Sequence, residues 1–137
     1  MTSNTKPIGV AFEDQNIIGA DRVYVDSELG YTAAAQGAVT QATDKSTAVT
    51  LNRPAGRITM NAASLAATTN VSFTLNNSFI SSNDILILTI SGGATVAAYN
   101  IWVNSMSAGT ASITLRNTTA GALAEAVIVN FALIHCV

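Results

Sequence analysis

The chain reads Ala126-Val-Ile-Val-Asn-Phe-Ala-Leu-Ile134 near its carboxyl end, and this run indicates a fold built from β-strands. Successive side chains of a strand point to opposite faces, so four large apolar residues share one face. These are Val127, Val129, Phe131 and Leu133. The opposite face is also apolar, with Asn130 as its only polar residue. A strand that is apolar on both faces needs cover on both, so we predict that it is central in its sheet.

The residues before this strand contain further short β-type runs, separated by Gly, Asn and Ser. The predicted strands are Val39–Ala42, Thr47–Leu51, Gly56–Met60, Asn70–Asn76, Ile85–Ile90, Tyr99–Asn104 and Ala111–Arg116. Ile85–Ile90 is apolar at nearly every position, so we expect the core to cover one face and another partner, such as a neighbouring subunit, to cover the other. The loops are too short for crossover helices. The sequence therefore predicts an all-β fold, an antiparallel β-sandwich with a jelly-roll-like topology.

The first 38 residues differ from the rest, because most of the acidic residues and several separated apolar patches fall there. The patches are too short and irregular for an amphipathic helix, which favours an extended segment that docks on a partner. We therefore predict an N-terminal arm over 1–38 and a β-sandwich domain over 39–137. The interface residues predicted in the arm are Ile8, Val10, Phe12, Ile17, Ile18, Val23 and Tyr24.

The amino-acid composition and charge indicate which classes of partner the chain binds. Charged residues make up 10% of the chain and hydrophobic residues 49%, which predicts a surface poor in charge and covered in part by neighbours. The net charge is −2 and the six basic residues are scattered, so no nucleic-acid partner is predicted. The aliphatic runs are too short for a membrane-spanning helix, and the amino terminus does not resemble a secretory signal. We therefore expect synthesis in a cytosol and no membrane partner.

No set of residues predicts chemistry, so we expect no enzymatic activity, metal or cofactor. His135 and Cys136 are the only residues of their types, and adjacent residues of a strand point apart. The acids of the arm lack the spacing of a calcium loop. Asp84 directly precedes a strand, an ordinary place for a charge at a sheet rim. Trp102 falls on the polar face of its strand, which leaves three alternatives: a subunit contact, stacking on a sugar, or packing against a loop.

Most of the chain resembles a family of small virion proteins of tailed bacteriophages of the podovirus type. The residues that carry the resemblance are Ala38–Asn52, Gly56–Asn61, Val71–Leu75, Ser91–Gly93, Glu125–Ile134 and, in the arm, Lys6–Gln15. The resemblance implies a capsid decoration or cement protein, with the tip domain of a head or tail fibre as the alternative. Its implied partners are the major capsid protein and further copies of itself as a dimer or trimer. The implied location is the capsid surface of a virion assembled in the host bacterial cytoplasm.

Overall fold

The computed structural model describes residues 19–136. The chain divides into two units between Gly30 and Tyr31. In the first unit every described residue from 19 to 30 is exposed, and none lies in a helix or strand. The second unit begins with a short 3₁₀ helix, Ala33–Ala35, and continues as β-structure. The predicted domain boundary at residue 38 falls inside its first strand. Within 19–136, no helix has the length and apolar character that crossing a bilayer requires.

Eight strands form two four-stranded sheets that share one core, which confirms the predicted all-β sandwich. In chain order they are β1 (Gln36–Thr40), β2 (Val49–Thr50), β3 (Ala55–Thr59), β4 (Asn70–Asn76), β5 (Ile85–Gly92), β6 (Tyr99–Ser107), β7 (Thr110–Asn117) and β8 (Ile128–Ile134). The first sheet has the order β1-β3-β8-β5, and the second has the order β2-β4-β7-β6. The predicted strands overlap all eight observed ones; β4 was predicted at its observed residues, and the other seven differ from the prediction at one or both ends.

Both sheets are mixed, and this corrects the prediction of antiparallel pairing throughout. β1 pairs with β3, and β2 with β4, in parallel, which departs from a jelly roll in which all ladders are antiparallel. The reason is the path of the chain, which alternates between the sheets from β1 to β4. A chain that leaves one sheet, forms a strand in the other and returns runs again in its first direction. The strand of the opposite sheet thus supplies the crossover that parallel neighbours require.

The core lies between the sheets and is filled by alternate residues of the strands. Ile58, Leu75, Ile113 and Leu115 are completely buried. The predicted inner face of β8 is also buried, and β8 lies between β3 and β5, so its central position is confirmed. Six polar or charged residues are buried as well, most of them at strand ends or in loops: Gln41, Lys45, Asn77, Asp84, Asn117 and, within β7, Thr114. Buried polar groups need hydrogen-bond partners, so these residues fix the paths of the loops around them.

Candidate functional site

The predicted interface residues that the structure describes are exposed. Val23 is 63% exposed and Tyr24 82% exposed. Trp102 is 37% exposed on the outer face of β6, as the alternation of that strand predicts. The other five predicted residues lie outside the described part of the chain: Ile8, Val10, Phe12, Ile17 and Ile18. Their role as contacts stays a prediction, as it does for the three exposed residues.

An apolar patch occupies one end of the outer face of the first sheet. It consists of Ile85 and Ile87 on β5 and of Ala132 and Ile134 on β8, and we call it the isoleucine patch. Its three isoleucines are 54%, 50% and 49% exposed, and the register pairs Ile85 with Ile134 and Ile87 with Ala132. Scattered apolar residues are common on protein surfaces, but a contiguous group on a flat sheet is typical of an interaction site. Within residues 31–136, the three isoleucines of this patch stay about half exposed.

A buried carboxylate, Asp84, joins two parts of the chain next to this patch. Its side chain is fully buried and accepts hydrogen bonds from the N–H of Ser81 at 2.8 Å and the hydroxyl of Ser81 at 2.7 Å. It also accepts from the N–H of Cys136 at 3.0 Å, and Nδ1 of His135 lies 2.8 Å from its Oδ1 atom. Asp84 therefore ties the residues that follow β8 to the turn that precedes β5.

Burial alone would raise the pKa of Asp84, but these hydrogen bonds outweigh it and hold the pKa well below its ordinary range. The carboxylate stays ionised and only accepts, so Nδ1 of His135 carries the hydrogen. This is how a carboxylate orients a catalytic imidazole. In the described residues, however, no hydroxyl or thiol forms a hydrogen bond with the other ring nitrogen, and Cys136 Sγ instead donates weakly to the Ile134 carbonyl. The arrangement anchors the end of β8.

Replacement of Asp84 by Asn is expected to lower the melting temperature at neutral pH, because an amide cannot accept all four hydrogen bonds. The pKa of Asp84 is depressed in the folded chain, so its stabilising effect is complete above the unfolded value of 3.8 and is lost as the pH falls through the folded pKa. The melting temperatures of the wild type and of Asp84→Asn should therefore converge below about pH 4. Thermal unfolding followed by circular dichroism from pH 7 to 2 measures this. A constant difference across that range would contradict it.

A second buried charge, Lys45, lies where two loops meet. Lys45 is 3% exposed and donates to the backbone carbonyls of Asn61 and Glu125. Burial lowers its pKa, and the nearby Glu125 carboxylate opposes the effect. Glu125 in turn accepts from the hydroxyl of Thr95 at 2.6 Å, which lowers its own pKa. The lysine acts as a structural donor and holds the segment before β8 against the segment after β3.

The loop between β5 and β6 encloses a shallow pocket of about 300 Å³, lined by Ile90, Gly92, Ala94, Thr95, Val96, Ala97 and Tyr99. The Tyr99 hydroxyl is buried without a hydrogen-bond partner among the described residues. Burial, and then the neighbouring carboxylate of Glu125, raise the pKa of Tyr99 to about 12. The phenol is therefore neutral at physiological pH and is not poised for proton transfer.

The clusters around Asp84 and Lys45 were not predicted from the sequence, in which Asp84 was interpreted as an ordinary charge at a sheet rim. For Asp84 the signal was Ser81 three residues earlier, since Asp and Ser side chains often bond to the backbone of a turn. The partners of Asp84 that follow β8, His135 and Cys136, are remote in sequence from it, and no local pattern predicted the contact. Among residues 19–136, no three His, Cys, Asp or Glu side chains gather in a way that would hold a metal ion.

Comparison with protein families, with curated proteins and with solved structures found no match to the chain.

Proposed function

We propose that this chain is a structural protein of a tailed-bacteriophage virion that decorates and stabilises the capsid by binding across subunits of the major capsid protein. The observation that carries the proposal is the isoleucine patch, an exposed apolar area on a rigid sheet of a protein in which 10% of the residues are charged. Exposed apolar area of this kind favours contact with other proteins. The location is the outer surface of a capsid assembled in the host bacterial cytoplasm.

The exposed residues of the first unit also support the proposal of capsid binding. Its residues from 19 to 30 are exposed along their whole length and include the apolar side chains of Val23, Tyr24 and Val25. An exposed segment with large apolar residues has area to bury against a partner, and ordering it on binding costs conformational entropy. Many modest contacts repeated by the symmetry of a shell compensate for that cost through avidity.

Deletion of residues 2–30 is expected to leave a folded β-sandwich that no longer binds capsids. Every core residue in the described part of the chain belongs to the second unit, so thermal unfolding should change little. Cosedimentation with capsid shells that lack the protein should show affinity reduced by at least about tenfold, because the contacts of the arm are gone. The full-length double variant Val23→Ser and Tyr24→Ser is the matched control for loss of apolar contact alone. Undiminished binding by the deleted chain would exclude the arm from capsid recognition.

The alternative function is that of a fibre tip that binds a host receptor or glycan, and Trp102 is the observation that favours it. The indole is partly exposed on the outer face of β6, between the exposed side chains of Asn100 and Asn104. An aromatic ring next to amide groups suits stacking on a sugar with hydrogen bonds at its edge. In that case Trp102→Ala removes the signal on a glycan array and leaves capsid binding unchanged.

A further inference from the structure

β5 is an edge strand, and its free side has no partner among the described residues. The order of its sheet is β1-β3-β8-β5, so β8 pairs with one side of β5 only. No backbone hydrogen bond within 19–136 joins Ile85–Gly92 to anything other than β8. The strand contains no charged residue and no proline, which are the usual features that keep an edge from pairing with another chain.

The hydrogen bonds of β8 show which groups of β5 face outward. Leu133 donates its N–H to the Pro54 carbonyl at 2.8 Å, and the carbonyl of Val127 accepts from Met60 at 2.9 Å, so the odd-numbered residues of β8 bond toward β3. Backbone groups alternate in direction along a strand, so the even-numbered residues of β8 bond toward β5.

The partners of those even-numbered residues are Ile85, Ile87 and Thr89. The backbone N–H and C=O groups of the intervening residues therefore point away from the sheet. These are Leu86, Leu88 and Ile90.

We propose that β5 pairs antiparallel with β5 of a second copy of this chain, with the two-fold axis at Leu88. This register places Leu88 opposite its own copy and Leu86 opposite Ile90, so every outward N–H and C=O of these three residues finds a partner. A register centred on Ile87 would place Ile90 opposite Asp84, whose N–H already donates to Ser81. The two sheets would then join into one continuous sheet across the axis.

A second copy fits this edge better than a charged partner does. An isologous pair sets each residue of β5 against a residue of the same strand, and the absence of charge in β5 avoids repulsion between like charges. The other long edge, β6, has a bulge between Val103 and Ser105 that interrupts it in the middle. In β5 the bulge comes after Ile90, beyond the proposed pairing.

The proposal rests on the self-association in the proposed function and names the strand that mediates it. Dimerisation is measured without a capsid, so a negative result for the dimer is distinguishable from a negative result for capsid binding. Pairing of one short strand buries less than the roughly 800 Å² per partner of a standard interface. We therefore expect a weak dimer whose population rises with protein concentration, which sedimentation equilibrium of the purified full-length chain measures.

A charge-pair experiment tests the register. With the axis at Leu88, position 87 of one chain lies opposite position 89 of the other, both on the outer face. The double variant Ile87→Lys and Thr89→Lys sets lysine against lysine, and the dissociation constant should rise by at least about tenfold. The matched variant Ile87→Lys and Thr89→Glu sets lysine against glutamate and should dimerise about as well as the wild type. Both carry the same substitution at Ile87, and equal melting temperatures of the two variants would exclude loss of folding as the cause of a difference between them.

Three results would overturn the proposal. One is a wild-type chain that stays monomeric up to about 1 mM. Another is an equal dissociation constant for the two double variants. The third comes from Ile134→Lys, which changes a neighbouring strand on the same face and is 49% exposed. If that variant weakened association as much as the lysine pair does, the contact would lie on the sheet face and not on its edge. Val96→Lys, at a loop residue that is 93% exposed, is the control for added charge.

Discussion

Gly93→Ala is expected to destabilise the fold more than an alanine substitution at any other glycine between residues 19 and 136. A Cβ atom at position 93 would lie 2.1 Å from the carbonyl oxygen of Ala126. That oxygen belongs to the backbone directly before β8, so no side-chain rotation relieves the overlap. The φ angle of Gly93 is +64°, a region that costs an alanine about 1–2 kcal/mol even without a clash. Together these effects should lower the free energy of unfolding by at least about 3 kcal/mol.

Two other glycines separate the causes. Gly109 has a φ of +79° but open space around it, so Gly109→Ala should show the cost of backbone conformation alone. Gly121 has open space and no positive φ, so Gly121→Ala should be close to neutral. Urea unfolding followed by tryptophan fluorescence, using Trp102, gives the free energy for each variant. A loss at Gly93 no larger than that at Gly109 would show that the Ala126 segment moves aside.

The close contact between Gly93 and the Ala126 backbone could not be predicted from the sequence. The run Ser91–Gly93 is recognisable as a turn signal at the end of an apolar strand, and β5 does end at Gly92. Nothing nearby in sequence indicates that this turn lies against residue 126. Strand positions and faces follow from local alternation, which is why β4 was predicted at its observed residues, Asn70–Asn76. Contacts between strands depend on residues far apart in the chain, so the local alternation does not predict them.

The parallel pairing of β1 with β3 could not be predicted from the sequence either. β1 lies next to β3 with Gly37 directly opposite Gly56, and a Cβ atom on Gly56 would lie 2.8 Å from the Gly37 carbonyl oxygen. The close approach explains why glycine is required at position 56. In the sequence this residue marked only the start of a predicted strand, because a glycine at a turn cannot be distinguished from a glycine that lies against a neighbouring backbone.

The candidate interaction surfaces could be predicted from the sequence only in part. Alternation placed Trp102 on the outer face, and the apolar run of β5 indicated a face that needs a cover beyond the core. The sequence could not show that β5 is an edge strand, because that depends on which strands flank it. Edge position is what changes an apolar outer face into a surface with free backbone groups, and so into a candidate for strand pairing.

Asn117→Ala is expected to give the second large loss of stability. Asn117 is completely buried, and its side-chain nitrogen donates to the carbonyls of Leu65 at 3.1 Å, Ala66 at 3.1 Å and Gly121 at 2.8 Å. Its side-chain oxygen accepts from the N–H of Thr119 at 2.9 Å. Alanine would remove these four hydrogen bonds and leave the N–H of Thr119 without its side-chain acceptor, while the three carbonyls would each keep one other donor. The expected cost is about 3 kcal/mol in the free energy of unfolding.

Ser72→Ala is a suitable control, because it also removes a side-chain hydrogen bond, the 2.7 Å contact with Thr114. That single bond in a half-buried ladder should contribute about 1 kcal/mol. A loss at Asn117 no larger than that at Ser72 would mean that the other donors to these carbonyls are sufficient and that the Asn117 side chain contributes little. Urea unfolding at pH 7 compares the two variants directly.

Asn117→Asp is a further test, because it keeps the shape of the side chain but replaces the donating amide by a carboxyl group that can ionise. An ionised carboxylate would face three carbonyl oxygens and could donate to none, so the fold should favour the protonated acid. The pKa of the introduced acid would then be higher in the folded chain than its unfolded value of about 3.9. The stability of Asn117→Asp should consequently be highest below that value and should fall as the pH rises through the folded pKa. This trend is opposite in sign to the one expected for Asp84, whose charged form the fold stabilises, so one pH series distinguishes a site built for a donor from a site built for an acceptor.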